Sequence, residues 1–145
     1  MEKSYGEPRL ALPGLASFYE RAIPLSWLII RLAVGFTLMM HGWGKVVRMP
    51  GWIGAADWGN VWYYAILIAI EFVGGISIML GLFTRFWAPA AAIELLVITI
   101  TYVPNGYGWT ARGYEYTLMW GLLCFAIALR GGGPYSLDRR LGKEL

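Results

Sequence analysis

Four apolar stretches set the limits of this chain. They run from about Ile23 to Val47, Val61 to Phe83, Phe86 to Val103 and Tyr114 to Leu129, and each approaches the ~20 residues a helix needs to cross bilayer hydrocarbon. The chain is 145 residues long, 58% hydrophobic and 14% charged, whereas a soluble domain carries about 25% charged residues. So much apolar surface on one small domain is more readily hidden in lipid than in water. The pattern predicts an all-α, integral membrane four-helix bundle. A transmembrane domain would occupy residues 23–130, preceded by a tail over 1–22 and followed by a cytoplasmic tail over 131–145.

Punctuation fits these limits. Pro24 suits the first turn of the first helix, where a missing N–H does no harm. Met49-Pro50-Gly51, Pro104-Asn105-Gly106 and Gly131-Gly132-Gly133-Pro134 should end helices one, three and four. Thr84-Arg85 leaves room for only a tight turn between helices two and three, and Pro89 falls just inside helix three, where it is tolerated. Leu15, Phe18, Tyr19 and Ala22 share a face, so residues 15–22 read as a short interfacial helix. The first apolar stretch is too long for a cleaved signal peptide, and Arg31 lies inside it.

Four spans return the chain to its starting side. Lys3, Arg9, Arg21, Arg85, Arg130, Arg139, Arg140 and Lys143 would lie on that side, against Lys45, Arg48 and Arg112 on the other. The positive-inside rule therefore predicts that both termini are cytoplasmic. Trp43, Trp52, Trp58, Trp62 and Trp109 fall toward the outer face, while Trp27 and Trp87 fall toward the inner one. An aromatic belt explains most of them, and an aromatic-walled pocket in the outer leaflet is the sharper alternative.

Inside the spans lie Arg31, His41, Lys45, Glu71 and Glu94, with Glu115 at the top of the fourth. A charge at the bilayer centre costs roughly 2.5–3.5 kcal/mol on an insertion scale, so these residues should face one another. Depth at a ~1.5 Å rise per residue lets Arg31 reach Glu94 or Glu71, lets Glu71 approach His41, and lets Lys45 pair with Glu115 at the outer rim. A ladder of charges would then run much of the way across the bundle. Gly74 and Gly75 beside Glu71, and Ala90 and Ala91 beside Glu94, place these acids on packing faces, because small residues let helices approach closely in lipid. Each residue also has a plainer reading. Arg31 would be a structural ion-pair partner, Lys45 a snorkelling cation, Glu115 a helix N-terminal carboxylate and His41 a satisfied core histidine.

Other chemistries lack their residues. The single cysteine, Cys124, excludes an internal disulfide or cysteine cluster and reads as a small packed residue. There is no phosphate-binding glycine loop, haem histidine pair, zinc spacing or Ser/His/Asp set. The basic residues flank apolar stretches instead of forming a nucleic-acid-binding surface. Any redox chemistry would need a diffusible carrier or a partner subunit.

Together the residues form an ordered pattern. Arg31 is followed by His41-Gly42-Trp43-Gly44-Lys45, then Glu71-Phe72-Val73-Gly74-Gly75, then Gly81-Leu82-Phe83-Thr84-Arg85, then Gly133-Pro134-Tyr135-Ser136-Leu137-Asp138. Over roughly residues 25–140 this resembles the DoxX family of small prokaryotic membrane proteins. The resemblance implies a multi-pass protein of the prokaryotic cytoplasmic membrane associated with quinol oxidation and thiosulfate:quinone oxidoreduction. It marks Arg31, His41, Lys45 and Glu71 as positions of interest, with Arg85 and Asp138 at the cytoplasmic rim.

Three functions then compete. The favoured one is a quinone-linked electron-transfer subunit. His41, Trp43 and Glu115 would line its quinone pocket, His41 and Glu71 would handle protons, and Arg31, Glu94, Lys45, Arg85 and Asp138 would form a structural ion-pair network. The second is a non-catalytic subunit that docks other proteins, with oligomers open to it. The third is a small proton-coupled transporter.

Overall fold

A computed structural model describes residues 10–55 and 57–144. Lys3, Arg9 and the rest of positions 1–9 of the expected tail lie outside the described residues. The described residues are mostly helical, without strands. A 3₁₀ turn, Pro13–Leu15, leads into α1, Ala16–Gly54. Next come α2, Trp58–Leu80, α3, Thr84–Tyr102, α4, Glu115–Arg130, and a short α5, Leu137–Leu141. Within α2, residues Ala69–Val73 form a π-helical turn.

Among the described residues, three helical segments are long and apolar enough to cross a membrane: Pro13–Gly54, Trp58–Leu80 and Thr84–Asn105. The expected fourth span forms α4, whose 16 residues reach ~24 Å at the α-helical rise, short of the ~30 Å hydrocarbon core. Gly131, at φ 78°, stops it at one end. A loop containing the 3₁₀ turn Trp109–Ala111 precedes the other end.

The ends of α1 also differ from the sequence reading. Residues 16–22 are not a separate interfacial helix but the start of α1, which continues through both Pro24 and Pro50 to Gly54. Each proline removes one donor, but its fixed φ is compatible with the helix, so the chain can carry on past it. The turn after α2 falls at Gly81 to Phe83, and Thr84 and Arg85 already belong to α3.

α1 and α2 pack through glycines. A Cβ on Gly42 would lie 2.5 Å from the backbone nitrogen of Phe72, and one on Gly75 would lie 2.6 Å from that of Met39. Backbone therefore meets backbone along this crossing, and its upper contact is the π turn itself. α3 and α4 pack along each other, and the hydroxyls of Thr99 and Thr117 hydrogen-bond at 2.9 Å between them. Val34, Leu38, Ile78, Ala88, Ala91, Leu95, Cys124 and Ile127 fill the core. Cys124 is fully buried there, as a small packed residue would be.

The C-terminal segment folds back over one end of the bundle. Arg31 was expected to pair with Glu94 or Glu71. Instead its guanidinium donates to the carbonyls of Gly132, Met79 and Tyr135, the last at 2.8 Å. Its long side chain points toward that end, where unpaired carbonyls of a helix terminus and a loop supply partial negative charge. The Trp27 indole donates to the Gly131 carbonyl at 3.0 Å, and the Arg130 guanidinium sits 4.9 Å above its ring. Asp138 accepts from the Phe83 and Thr84 amides at 2.7 and 2.9 Å. These bonds hold Phe83 at φ 49°, a conformation a bulky residue rarely adopts. Arg85 pairs with Glu144 at 2.8 Å, and the other oxygen of Glu144 accepts from the Gly132 amide at 3.0 Å.

Asp138→Ala should therefore loosen the α2–α3 turn. Two donors lose a charged acceptor, at a cost of about 1.5–3 kcal/mol. Denaturation in mixed micelles would measure the loss, and faster amide exchange at Phe83 and Thr84 would locate it.

Candidate functional site

At the other end of the bundle, side chains from all four long helices enclose a cavity of about 250 Å³. α1 contributes Thr37, Leu38, His41 and Lys45. α2 contributes Glu71, α3 contributes Leu95, Ile98 and Tyr102, and α4 contributes Tyr116, Thr117 and Trp120. The wall is mainly apolar, with a few polar groups converging on it, as in small-molecule sites generally. Its volume suits a single ring.

Helix periodicity explains the α1 wall. Thr37, His41 and Lys45 recur every fourth residue and so share a face. The α2 wall depends on the π turn, which adds a residue to one helical turn and rotates Glu71 relative to a regular helix. Such turns occur often at functional sites. Gly42 makes this possible, because only a residue without a side chain lets α1 lie against the π-turn backbone at Phe72.

Lys45 and Glu71 form an ion pair inside the bundle. The expected pairing of Lys45 with Glu115 at the outer rim is not formed. Lys45 reaches inward, where a low dielectric strengthens its attraction to a buried carboxylate. Glu115 instead accepts weakly from the Trp109 amide at 3.3 Å, in a separate hollow beside Tyr116 and Met119. His41 is exposed and lies on the cavity wall, with its ring 6.3 Å from that of Tyr116. Trp43 is outside the cavity and packs against Phe72 at 5.8 Å between ring centres.

Two buried groups near the cavity lack partners. The Trp120 indole nitrogen has no acceptor, and neither carboxyl oxygen of Glu94 has a donor. Glu94 neighbours Glu71 and Lys45. The expected ladder of charges is therefore two clusters. Arg31 belongs to the cap, while Lys45, Glu71 and Glu94 sit beside the cavity with His41 on its wall.

Of the residues anticipated for a pocket, the fold brings His41 and Glu71 to one cavity and leaves Trp43 and Glu115 outside it. Sequence reasoning missed Trp120, Tyr116, Thr37 and Tyr102. Thr37 lies one turn before His41, so extending the His41–Lys45 face would have found it. Tyr116 and Trp120 are also four residues apart, but they were absorbed into an apolar run that gave no hint of which face was enclosed.

Chemically, the cavity brings the Trp120 ring, the Lys45 ammonium and the His41 imidazole together with apolar walls, and the Trp120 N–H is buried nearby without an acceptor. A buried N–H without an acceptor is uncommon and costly, and a ligand oxygen would satisfy it.

A family model described as DoxX matches residues 26–103. An uncharacterized protein of Haemophilus influenzae is 28% identical over 131 residues, covering 86% of this chain and 97% of that protein. The inner membrane protein YqjF of Escherichia coli is 29% identical, covering 81% of this chain and 92% of YqjF. A Bacillus subtilis protein named "Putative oxidoreductase CatD" is 26% identical, covering 82% and 89%. No solved structure is a significant match.

Proposed function

The chain belongs to the DoxX family, and from that premise we propose that it is a membrane subunit of quinone-linked electron transfer, with a quinone head in the cavity beside His41. One observation carries this reading: a ring-sized apolar cavity next to a buried indole N–H, that of Trp120, which has no acceptor. A quinone has the complementary chemistry, a flat apolar ring with carbonyl oxygens that accept hydrogen bonds. When bound it would supply a carrier of electrons and protons. The residues of this chain would hold the ring, direct N–H donors at its oxygens and exclude water. The name of the Bacillus relative, which includes the word oxidoreductase, supports the same class.

In the membrane, α4 acts as a fourth span, with the loop before it and the cap after it covering the missing length. Both termini face the cytoplasm of a prokaryotic cell, because the end that carries the cap also carries most of the positive charge. Protein partners exchange electrons with the quinone, since no redox centre is evident in the residues themselves.

The test is purification in native lipid, followed by mass spectrometry of co-purifying small molecules and proteins. Quinone is expected at near-stoichiometric levels and should be lost in His41→Ala. Trp120→Phe removes one hydrogen bond worth about 0.5–1.5 kcal/mol, so quinone affinity should fall roughly twofold to twelvefold. Wild-type protein that retains no quinone but brings stoichiometric protein partners would replace this reading with that of a docking subunit.

A further inference from the structure

Glu94 is one acid that the quinone reading leaves without a task. It is 8% exposed and Glu71 is 5% exposed, and they project from α3 and α2 toward the same place. The Glu71 carboxyl group is a close neighbour of Glu94, with Lys45 beside them. As carboxylates they could only repel, because an ionised carboxylate accepts hydrogen bonds and donates none. Both oxygens of Glu94 lack a donor. Lys45 contributes one positive charge and is bonded to Glu71. One ammonium cannot balance two buried carboxylates, and an unbalanced charge inside a bilayer is expensive. A single proton resolves both problems. It turns one carboxyl into a donor for the other and brings the cluster to neutrality.

We propose that Glu71 and Glu94 form a proton-binding site, sharing one exchangeable proton while Lys45 neutralises the remaining negative charge. The titratable groups around the acid pair and the cavity beside it come from every packed helix: His41 and Lys45 on α1, Glu71 on α2, Tyr102 on α3, and Tyr116 and Cys124 on α4. None of them is a second fixed cation, so the extra proton has no rival there. Glu71 also lines the cavity, which gives the proton a route between the acid pair and whatever occupies that space. Release breaks the acid O–H bond and leaves two carboxylates beside Lys45, and uptake reverses this. Delivery of the proton to a quinone rests on the function proposed above, but the proton site does not.

Infrared spectroscopy of the full chain tests the site, using glutamate labelled isotopically at the side-chain carboxyl and a detergent free of carbonyl groups. At neutral pH the wild type should show the C=O stretch of an un-ionised glutamic acid, carrying the label shift and moving again in heavy water. Glu94→Gln and Glu71→Gln should each abolish it. His41→Ala should keep it, even where that variant has lost its quinone, so failure of the quinone reading and failure of the proton site give different results. Absence of the labelled acid band from the wild type would overturn the proposal, whether or not the variants fold. So would a band that survives both glutamine substitutions.

Discussion

Arg31→Ala is expected to destabilise the protein more than any other single side-chain truncation, by about 1.5–3 kcal/mol for each charged hydrogen bond lost. Arg31 is 1% exposed, and its guanidinium bonds the carbonyls of Met79, Gly132 and Tyr135. Those oxygens come from the end of α2 and from the segment after α4, so this one side chain fastens the C-terminal cap to the bundle. Truncation leaves the oxygens facing a hole. Arg31→Lys should rescue little, because an ammonium on a flexible stem does not reproduce a planar fork of donors. The position also requires Gly81, where an added Cβ would collide with the guanidinium. Denaturation in mixed micelles would measure the loss, and protease susceptibility of residues 131–144 should rise with it. A variant as stable as the wild type would show that the cap holds without this bond set.

Gly42→Leu is the second. Its first added carbon would lie 2.5 Å from the Phe72 nitrogen and 2.8 Å from the Phe72 Cα. Both are backbone atoms, so no rotamer change relieves the clash and the helices must separate. Overpacking typically costs about 1–3 kcal/mol, and occasionally more. Contact with backbone in a π turn puts this change at the upper end, near about 3 kcal/mol. Because the turn carries Glu71, cavity binding should suffer beyond the loss of stability. Retention of the quinone proposed for the cavity should fall even under conditions where the variant remains folded. At Gly44, a Cβ would meet open space, so Gly44→Ala should be close to neutral in both measurements. This pair of glycines separates crowding at the crossing from a general effect of glycine replacement in α1.

The helical class was legible because it follows from hydropathy, a property summed along the chain. Three of the four predicted stretches emerge as helices of membrane-crossing length. Proline was the less reliable guide. It weakens a helix by one bond, but a long apolar segment has no better conformation in lipid, where every backbone group must be satisfied internally. α1 accordingly continues through Pro24 and Pro50. Partnerships among the charged residues were harder to read. Depth along a helix says which groups lie at one level, but not which way a long side chain turns. Lys45 turned inward to Glu71, and Arg31 turned toward the end of the bundle.

By itself the sequence determined that this chain is helical and that its helices are apolar enough for a membrane. Composition and periodicity suffice for that, because each helix must satisfy lipid on one face and bury its few charges on another. Only the tertiary structure decided that α2 contains a π turn at Glu71, that Trp120 joins His41 at one cavity, and that Asp138 and Arg31 bind backbone, not each other or a neighbouring side chain. Those outcomes depend on how closely α1 and α2 approach at Gly42 and Gly75 and where the segment after α4 comes to rest. Such distances are set between parts of the chain far apart in sequence, and no local pattern records them.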